Sequence, residues 1–292
     1  VTITTSADTA LFDCQYVVTR TFVATDACEN VTTDTQTITV EFLPTIEFVT
    51  FPEDYTAECN AVHPLDMPEV NETCSAVTIT EMVDTLSGSC EHEYVVTRTF
   101  TAADNCGNSS DPRTQTITIV DTTAPALEEG QDLVVECDGN GNLDEYQAWL
   151  ANHGGATATD GCGVPMWSHV AGEFDGACAS TGSVEVVFTA TDACGNSTSY
   201  AGTFTIQDTT APSFDGDLQL EFGCNDFDMA ESYINVEDAC GDVTLTWEDI
   251  ELSGGCVKPV GRYLRLYTAT DACGNVAQFE QSVLLVDSVA PT

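Results

Sequence analysis

The sequence predicts an all-β chain of tandem sandwich modules, beads on a string stapled by disulfides, and three observations carry that prediction. The first is a set of near-identical turns: VATDACEN at Val23 to Asn30, TAADNCGN at Thr101 to Asn108, and TATDACGN at Thr189 to Asn196 and at Thr268 to Asn275. The second is what flanks them. Alternating runs precede each turn (YVVTRTF at Tyr16 and at Tyr94, SVEVVF at Ser183, YLRLY at Tyr263) and follow it (TQTITV, TQTITIV, GTFTIQ, QSVLLV), which is the period-two pattern of strands. The third is that 14 cysteines recur at matching places, four to each full repeat.

Each turn with its flanking runs reads as a β-hairpin, with Gly107, Gly195 and Gly274 available for a positive φ and Glu29 in that place in the first copy. A motif present once per repeat reads as architecture rather than as a catalytic centre. Residues 1–43 match only the C-terminal half of a module, VTITTSADTALFDC aligning with VTITEMVDTLSGSC at Val77 to Cys90. Full modules follow at 44–122, 123–209 and 210–292, the last ending in the start of another linker, VAPT. The junctions read TVEFLPTIEF, IVDTTAPAL at Ile119, IQDTTAPSF at Ile206 and LVDSVAPT at Leu285; proline there forbids helix and favours short, stiff linkers. Within a module a strand follows the linker (YTAEC, LVVEC, LQLEFGC), then a loop with the second cysteine, then a strand (VTITEM, VTLTWEDI). The third repeat alone carries an insertion, DGNGNLDEYQAWLANHGGA at Asp138 to Ala156. Leu143, Tyr146, Trp149 and Leu150 are spaced for one face of a short helix, with Asn142 as N-cap and Gly154 as its stop.

Composition narrows the function. Six basic against 48 acidic residues give a formal charge of −42, which repels nucleic acid and anionic lipid and favours cations as partners. The plainer reading of the same charge is a surface that keeps a long secreted protein soluble. With 42% hydrophobic residues the chain buries cores, but each module has a small one and needs a staple. Repeated cysteines without CxxC pairs or recurring histidines predict disulfides in an oxidising compartment rather than zinc, hence an extracellular protein. No apolar run is long enough to span a membrane, and Val1 opens in mid-unit without a signal-peptide pattern; the expectation is a window on a longer secreted chain. His63, His92, His153 and His169 stand at non-equivalent positions and no nucleophile has partners, so the chain reads as a non-enzyme.

The combination of DTTAP, VEC, DxCG, GxC, RTF and TATDACGN resembles the hyalin-type, immunoglobulin-like repeats of large Bacteroidetes surface proteins, adhesins among them, over essentially the whole chain. The departures are the shortened EFLP linker, ETCSA at Glu72 to Ala76 in place of DxCG, and Glu29. The resemblance implies seven-stranded immunoglobulin-like sandwiches exported from the cell. In such a sandwich the second and fourth cysteines lie at one pole and the first and third at the other, which implies pairing within each pole. The scheme is Cys59 with Cys90, Cys74 with Cys106, Cys137 with Cys178, Cys162 with Cys194, Cys224 with Cys256, and Cys240 with Cys273. A bond from third to fourth, Cys90 to Cys106, is ruled against by the strand of nine or so residues between them, spanning ~30 Å against the ~4.4–6.8 Å that a disulfide allows. Cys14 and Cys28 are then expected to have no partner within the sequence.

Calcium is the cofactor this reading implies, at the junctions, as in the architecture of cadherin linkers. Asp121 with Asp160, Asp192 and Asn196 forms one proposed set, and Asp208 with Asp238, Asp271 and Asn275 the other. The alternative for these residues is Asx-turns and caps on backbone N–H groups. Asp138, Asn140, Asn142 and Asp144 make a second cation candidate, an alternating run like the start of an EF-hand, but Trp149 stands where the bidentate acid belongs. Arg20, Arg98 and Arg265 recur six residues before the turn aspartate and suggest a buried structural pair, Glu58 serving Arg98. Val186 takes that place in the third repeat. Asn30, Asn71, Asn108 and Asn196 open N-glycosylation sequons, and Thr122, Thr209 and Ser288, like Thr9 and Thr85, follow an aspartate in a pattern similar to Bacteroidetes O-glycan acceptors. The functional expectation is a structural or adhesive stalk or filament, its partners being neighbouring modules, copies of itself in a fibre, and a surface glycan or protein. The alternative is a carbohydrate- or protein-binding accessory module of a secreted enzyme.

Overall fold

The computed structural model describes residues 1–12, 15–41, 45–71, 76–223, 226–229, 231–253 and 260–286. Cys14, Cys74, Cys224, Cys256 and Ser288 lie outside the described residues. Among the described residues the chain is all-β apart from one short α-helix and a single 3-10 turn, and it forms two compact units. The first comprises residues 1–123 with 161–164 and 193–196; the second comprises 124–160, 165–192 and 197–292.

In the first unit, β1 (Thr2–Phe12), β2 (Gln15–Thr25) and β3 (Val31–Glu41) form an antiparallel sheet. The second repeat then builds two sheets. A short arm pairs β4 (Phe48–Thr50) with β6 (Glu69–Val70), while β5 (Tyr55–Glu58), β7 (Val77–Ser87), β8 (Tyr94–Asp104) and β9 (Arg113–Val120) form the main sheet in the order β5-β9-β8-β7. The β5–β9 pair is parallel, Glu58 standing opposite Val120. Phe100, Ala102, Ile117 and Ile119 fill the inner face.

The second unit repeats this plan twice. β10 (Ala126–Glu128) pairs with β12 (Thr157–Thr159), and β11 (Leu133–Glu136) joins β13 (Met166–Ala171), β14 (Asp175–Gly176), β15 (Gly182–Thr191) and β16 (Ser197–Gln207) in one sheet. In the last repeat β17 (Ser213–Asp215) pairs with β19 (Asn235–Glu237), and β18 (Gln219–Gly223), β20 (Thr244–Ser253), β21 (Val260–Thr270) and β22 (Val276–Val286) take the order β18-β22-β21-β20. The second and last repeats thus have six strands among the described residues, where seven were expected, because the short arm has only two.

The signature turn is the same in every repeat in which its bonds are seen. In the last, Asp271 Oδ1 accepts the N–H groups of Cys273 (2.8 Å) and Asn275 (2.9 Å), and Oδ2 accepts from Asn275 Nδ2 (2.9 Å). Asp104 and Asp26 make the same three bonds in their turns. The turn closes on a residue of positive φ: Gly107 at 88°, Gly195 and Gly274 at 93°, and Glu29 at 63°. Only Glu29 bears the cost of a β-carbon in that region.

The recurrent arginine is a buried node. Arg265, fully buried, donates from Nε and Nη2 to Asp249 at 2.6 and 2.7 Å and from Nη1 to the Glu231 carbonyl at 2.5 Å, among the rings of Phe227, Tyr233 and Trp247. Arg98 bonds Glu81 at 2.6 Å and Gln115 at 2.9 Å. Glu58 is therefore not its partner. Glu81 lies on β7, beside Arg98 across the β7–β8 ladder, whereas Glu58 ends β5 and turns to the linker.

The third repeat shows what replaces the cation. Val186 stands opposite Gly202, and the space left by arginine and its glutamine partner is filled by Trp149 from α1 (Leu143–Ala151). Trp149 meets Phe188 edge-on at 5.2 Å, and a β-carbon on Gly202 would stand 3.1 Å from its ring. Its indole N–H donates to the Gln131 carbonyl. Leu143, expected on the buried face, is exposed; Tyr146, Trp149 and Leu150 alone pack inward. Asn142 sits at the N-cap in left-handed conformation, but its side chain turns back to Glu136 and Asp138 instead of capping the helix. Trp149→Ala is expected to destabilise this repeat by about 3–5 kcal/mol, read as a fall in its urea midpoint with an unchanged slope. A loss below about 1 kcal/mol would mean that the helix is an ornament.

Candidate functional site

The residues that recur with most chemistry gather at the joint between the third and fourth repeats, inside the second unit. Parallel pairing of β11 with the end of β16 sets Glu136 opposite Gln207, and the Cys137 N–H donates to the Gln207 carbonyl at 2.7 Å. The first cysteine is thereby pinned beside Asp208, the first linker residue. Glu136 then grips the linker: it accepts from the Thr209 N–H at 2.6 Å, the Thr209 hydroxyl at 3.0 Å and the Thr210 hydroxyl at 2.8 Å. From the last repeat, Asn275 Nδ2 donates to the Asp208 carbonyl at 3.1 Å. The signature turn thus reads the preceding linker as well as itself.

Two disulfides cross this joint. Cys137 is bonded to Cys240 and Cys178 to Cys273, with Cα separations of 5.8 and 5.2 Å. A β-carbon on Gly139, whose φ is +76°, would strike the Ala239 carbonyl, and one on Gly241 would stand 2.8 Å from the Ala179 β-carbon. Glycine beside the cysteines lets the loops approach that closely. The first unit holds the same set of contacts. Cys59 is bonded to Cys162 and Cys90 to Cys194, at Cα separations of 5.8 and 5.1 Å. Glu58 accepts from the Thr122 N–H (3.1 Å) and hydroxyl (2.5 Å), and Asn196 Nδ2 donates to the Asp121 carbonyl at 3.0 Å. Gly161 lies against Asn60, and a β-carbon on Gly163 would stand 3.0 Å from His92 Nε2.

These bonds correct the expected pairing. Cys59 is not joined to Cys90, Cys137 to Cys178, Cys162 to Cys194, or Cys240 to Cys273; the first cysteine of one repeat takes the second of the next, and the third takes the fourth. Cys106 is disulfide-bonded, and its expected partner Cys74, like the pair Cys224 and Cys256, falls outside the described residues. The linker is so short that the facing pole of the next repeat supplies the partners. Cys28 is free and exposed.

The proposed cation ligands are only partly assembled. Asp208 and Asp238 bring carboxylate oxygens within 4.8 Å of each other and of Cys240, whose sulfur is spent in the disulfide. Asp271 and Asn275 are committed to the turn and the linker. Asp121 and Asn196 meet in the first unit. In the EF-hand-like run, Asp138 Oδ1 accepts the N–H groups of Asn140 (2.7 Å) and Asn142 (3.0 Å), and Asn142, buried, donates to the Glu136 carbonyl. That loop is an Asx-turn holding itself, with Asp144 in the first turn of the helix.

Charge at the joint works in two directions. The N–H of Thr209, then the Thr210 hydroxyl, hold the Glu136 carboxyl below the usual range, and the Thr122 hydroxyl and N–H do so for Glu58. Burial pushes Asp208 up, against the Thr210 N–H, and the neighbouring Asp238, Asp271 and Glu136 charges add to the rise. For Glu136 the depressed folded pKa means stability present above its unfolded value of about 4.3 and lost as pH falls through the folded one. For Asp208 the sign reverses, its ionisation weakening the fold above the raised value. Amide exchange at Thr209, corrected for intrinsic rate, is therefore expected to quicken as pH falls through the lowered folded value of Glu136, and Glu136→Gln should flatten that pH dependence. An unchanged profile in the variant would show that Glu136 does not hold the linker.

Asparagines of the sequons are occupied. Asn71 Nδ2 donates to the Thr45 carbonyl, Asn30 and Asn108 to their turn aspartates, and Asn196 to Asp121. The linker threonines Thr122 and Thr209 are engaged by Glu58 and Glu136. The glutamate preceding the first cysteine was legible as the E of VEC, but its role as linker clamp was not.

No family model and no curated protein matches the sequence. Solved structures do. Repeats 1–4 of Drosophila N-cadherin align at 14% identity and a TM-score of 0.30 over 95% of this chain and 84% of that one. Protocadherin gamma B7 domains 1–4 align at 9% identity and a TM-score of 0.37 over 97% and 91%, and the human desmocollin-1 ectodomain at 13% and 0.22 over 96% and 66%. Identities and TM-scores this low assign neither a family nor a ligand.

Proposed function

We propose that this chain is part of an extracellular structural or adhesive stalk or filament whose repeats are covalently latched, each to the next. The observation that carries the reading is the pair of disulfides across one joint, Cys137–Cys240 and Cys178–Cys273, with its counterpart in Cys59–Cys162 and Cys90–Cys194. Two bonds flanking one linker resist both bending and twisting, which a single bond does not. Disulfides of this density support an oxidising compartment, and the formal charge of −42 favours keeping separate chains apart. Hyalin-type surface repeats of Bacteroidetes remain the family reading, carried by the motifs themselves. Among the described residues no helix is long and apolar enough to cross a membrane. Reduction is expected to increase bending in small-angle scattering while far-UV circular dichroism stays unchanged; equal dimensions before and after reduction would remove the latch from the account.

The accessory-module alternative needs an aromatic platform. Trp149 is buried, Trp167 stacks on His153 at 4.5 Å, and Trp247 packs beside Arg265 and Tyr267. All three are committed to their own repeats, which favours the stalk.

Calcium enters this reading as a stiffener held by Asp208 and Asp238. The fit is partial, since calcium takes 6–8 oxygens and carbonyls and water must supply the rest. Substituting Asp208→Asn removes charge from a crowded cluster, so without calcium it should leave the last two repeats as stable or raise their melting temperature slightly. With calcium the unsubstituted chain should gain and the variant should not. Identical responses of the two chains to calcium and chelator would end the calcium reading and leave the disulfide latch standing.

A further inference from the structure

We propose that the second repeat binds a small, neutral, planar aromatic compound of one or two rings, in a slot that the third and last repeats furnish with rings of their own. The slot lies against the main sheet of the second repeat and measures about 300 Å³. Val83 of β7, Val96 of β8, and Ile117 and Ile119 of β9 wall it on the sheet side, and His63 and Leu65 wall it from the loop after the first cysteine. Its surface is almost wholly apolar. Natural ligand pockets run from about 300 to 1,000 Å³, and an apolar cavity of about 150 Å³ already takes up benzene. The slot is therefore sized for one or two rings.

The other repeats show what the slot is shaped for. Between the first and second cysteines the third repeat carries Tyr146 and Trp149, and the last carries Phe227 and Tyr233. Phe204 stands opposite Val184 as Ile117 stands opposite Val96, and Tyr146 and Trp149 lie against it with ring centroids at 5.1 and 5.8 Å. The slot of the third repeat, with Tyr146 as one of its walls, is reduced to about 220 Å³. In the last repeat Phe227 sits 6.0 Å from Tyr263, which takes the place of Val96, and 4.9 Å from the Arg265 guanidinium. The second repeat has no phenylalanine, tyrosine or tryptophan between Cys59 and Cys74. Its loop supplies His63, whose ring nitrogens are shut off from solvent and have no hydrogen-bond partner among the described residues, so the imidazole serves as a flat wall. Pro64 and Pro68 stiffen that loop, and the Tyr55 hydroxyl donates to the Pro64 carbonyl at 3.2 Å. The loop is braced against collapse into the slot.

Charge selects a neutral guest. Arg98 borders the slot, its guanidinium 4.8 Å from the Phe100 ring. A bound ring would meet it as Phe227 meets Arg265, in a cation–π contact. A cationic guest is repelled by that guanidinium. An anionic guest faces Glu81, which also borders the slot, and a chain of formal charge −42. Either ion would also exchange water for an apolar wall.

The test titrates the 292-residue chain with indole, read by calorimetry and by saturation-transfer NMR. The expected result is saturable binding with a Kd on the order of 0.1–1 mM, ordinary for so small a ligand. Tryptamine and indole-3-acetate, its charged relatives, should bind at least about tenfold more weakly, and phenol should bind better than cyclohexanol, its saturated equivalent. Val83→Trp should abolish saturable indole binding by filling the slot. Val83 is 57% exposed on an edge strand, so the larger side chain has room. Leu65→Trp fills the same space from the loop side. Met82→Trp, 67% exposed on the opposite face of β7, should bind indole as the unsubstituted chain does, and far-UV circular dichroism checks that each variant is folded. The proposal is overturned by an absence of saturable indole binding, or by binding that both filling variants leave intact. Equal binding of the charged relatives, equal binding of phenol and cyclohexanol, or capture of a tyrosine-bearing peptide but not of indole would overturn it as well. None of these outcomes bears on the disulfide latch.

Discussion

Cutting the backbone between the third and fourth repeats will not release the last repeat until the cut chain is reduced. A protease site placed between Thr210 and Ala211 opens the linker, yet Cys137–Cys240 and Cys178–Cys273 still hold the two sides. Non-reducing electrophoresis should show one species of unchanged mass, and reduction should split it in two. Cys178→Ser alone should leave the pieces joined through Cys137–Cys240. The double variant Cys137→Ser, Cys178→Ser should fall apart on cleavage, because what remains is a few hydrogen bonds from Glu136 and Asn275 to the linker, each worth about 0.5–1.5 kcal/mol net. Release of the last repeat from the unsubstituted, unreduced chain would contradict the joint as described. The bonds also enclose long loops, with sequence separations of 103 and 95 residues. In the chain-entropy model a loop of about 100 residues contributes about 4.7 kcal/mol against global unfolding, so the latch and the cores stabilise together.

Replacing Arg265 by Ala should cost the last repeat about 3–5 kcal/mol, since it strands the nearly buried Asp249 carboxylate without its cation. It also leaves the Glu231 and Met229 carbonyls without the N–H groups they accept from, and hollows a site walled by aromatic rings. Burial works against the charge here, and the Asp249 hydrogen bonds more than offset it, holding the guanidinium protonated. Arg98→Ala should cost less, because Glu81 is 28% exposed where Asp249 is 6%, and water can reach the carboxylate left behind. The double change Arg265→Met, Asp249→Leu should recover much of the loss. Urea unfolding of the last repeat measures all three. A loss under about 1 kcal/mol for Arg265→Ala would show that the node is not structural. The third repeat is nature's own version of the swap, with Val186, Gly202 and Trp149 in place of the cation, the glutamine and the polar wall.

Much of this was legible in the residues, and the rest was hidden for identifiable reasons. Period-two runs around a DxCGN turn specify a hairpin because every level agrees: alternation, an aspartate that caps two N–H groups, and a residue free to take positive φ. Recurrent arginine in a chain nearly devoid of cations pointed to burial, but its acceptor depended on strand register, which placed Glu81 and Asp249 on β7 and β20 beside it. The disulfide partners were the largest miss. With four cysteines in every full repeat, pairing within a repeat and pairing between repeats consume the same number of thiols, so counting cannot separate them. The signal that distinguishes them lies in the glycines: Gly161 and Gly241 flank the second cysteine, where another loop approaches too closely for a β-carbon without a shift. Of the calcium ligands read from sequence, Asp271 and Asn275 also serve the turn and the linker carbonyl, the role that the Asx-turn alternative gave them.

The central claim is that the bonds run between repeats, and disulfide mapping of the unreduced protein tests it most directly. Digestion under acid conditions that prevent exchange, followed by mass spectrometry, should yield peptides joining Cys59 to Cys162, Cys90 to Cys194, Cys137 to Cys240 and Cys178 to Cys273. Peptides joining Cys137 to Cys178 and Cys240 to Cys273 instead would mean that each repeat is stapled to itself and that nothing covalent latches the joints.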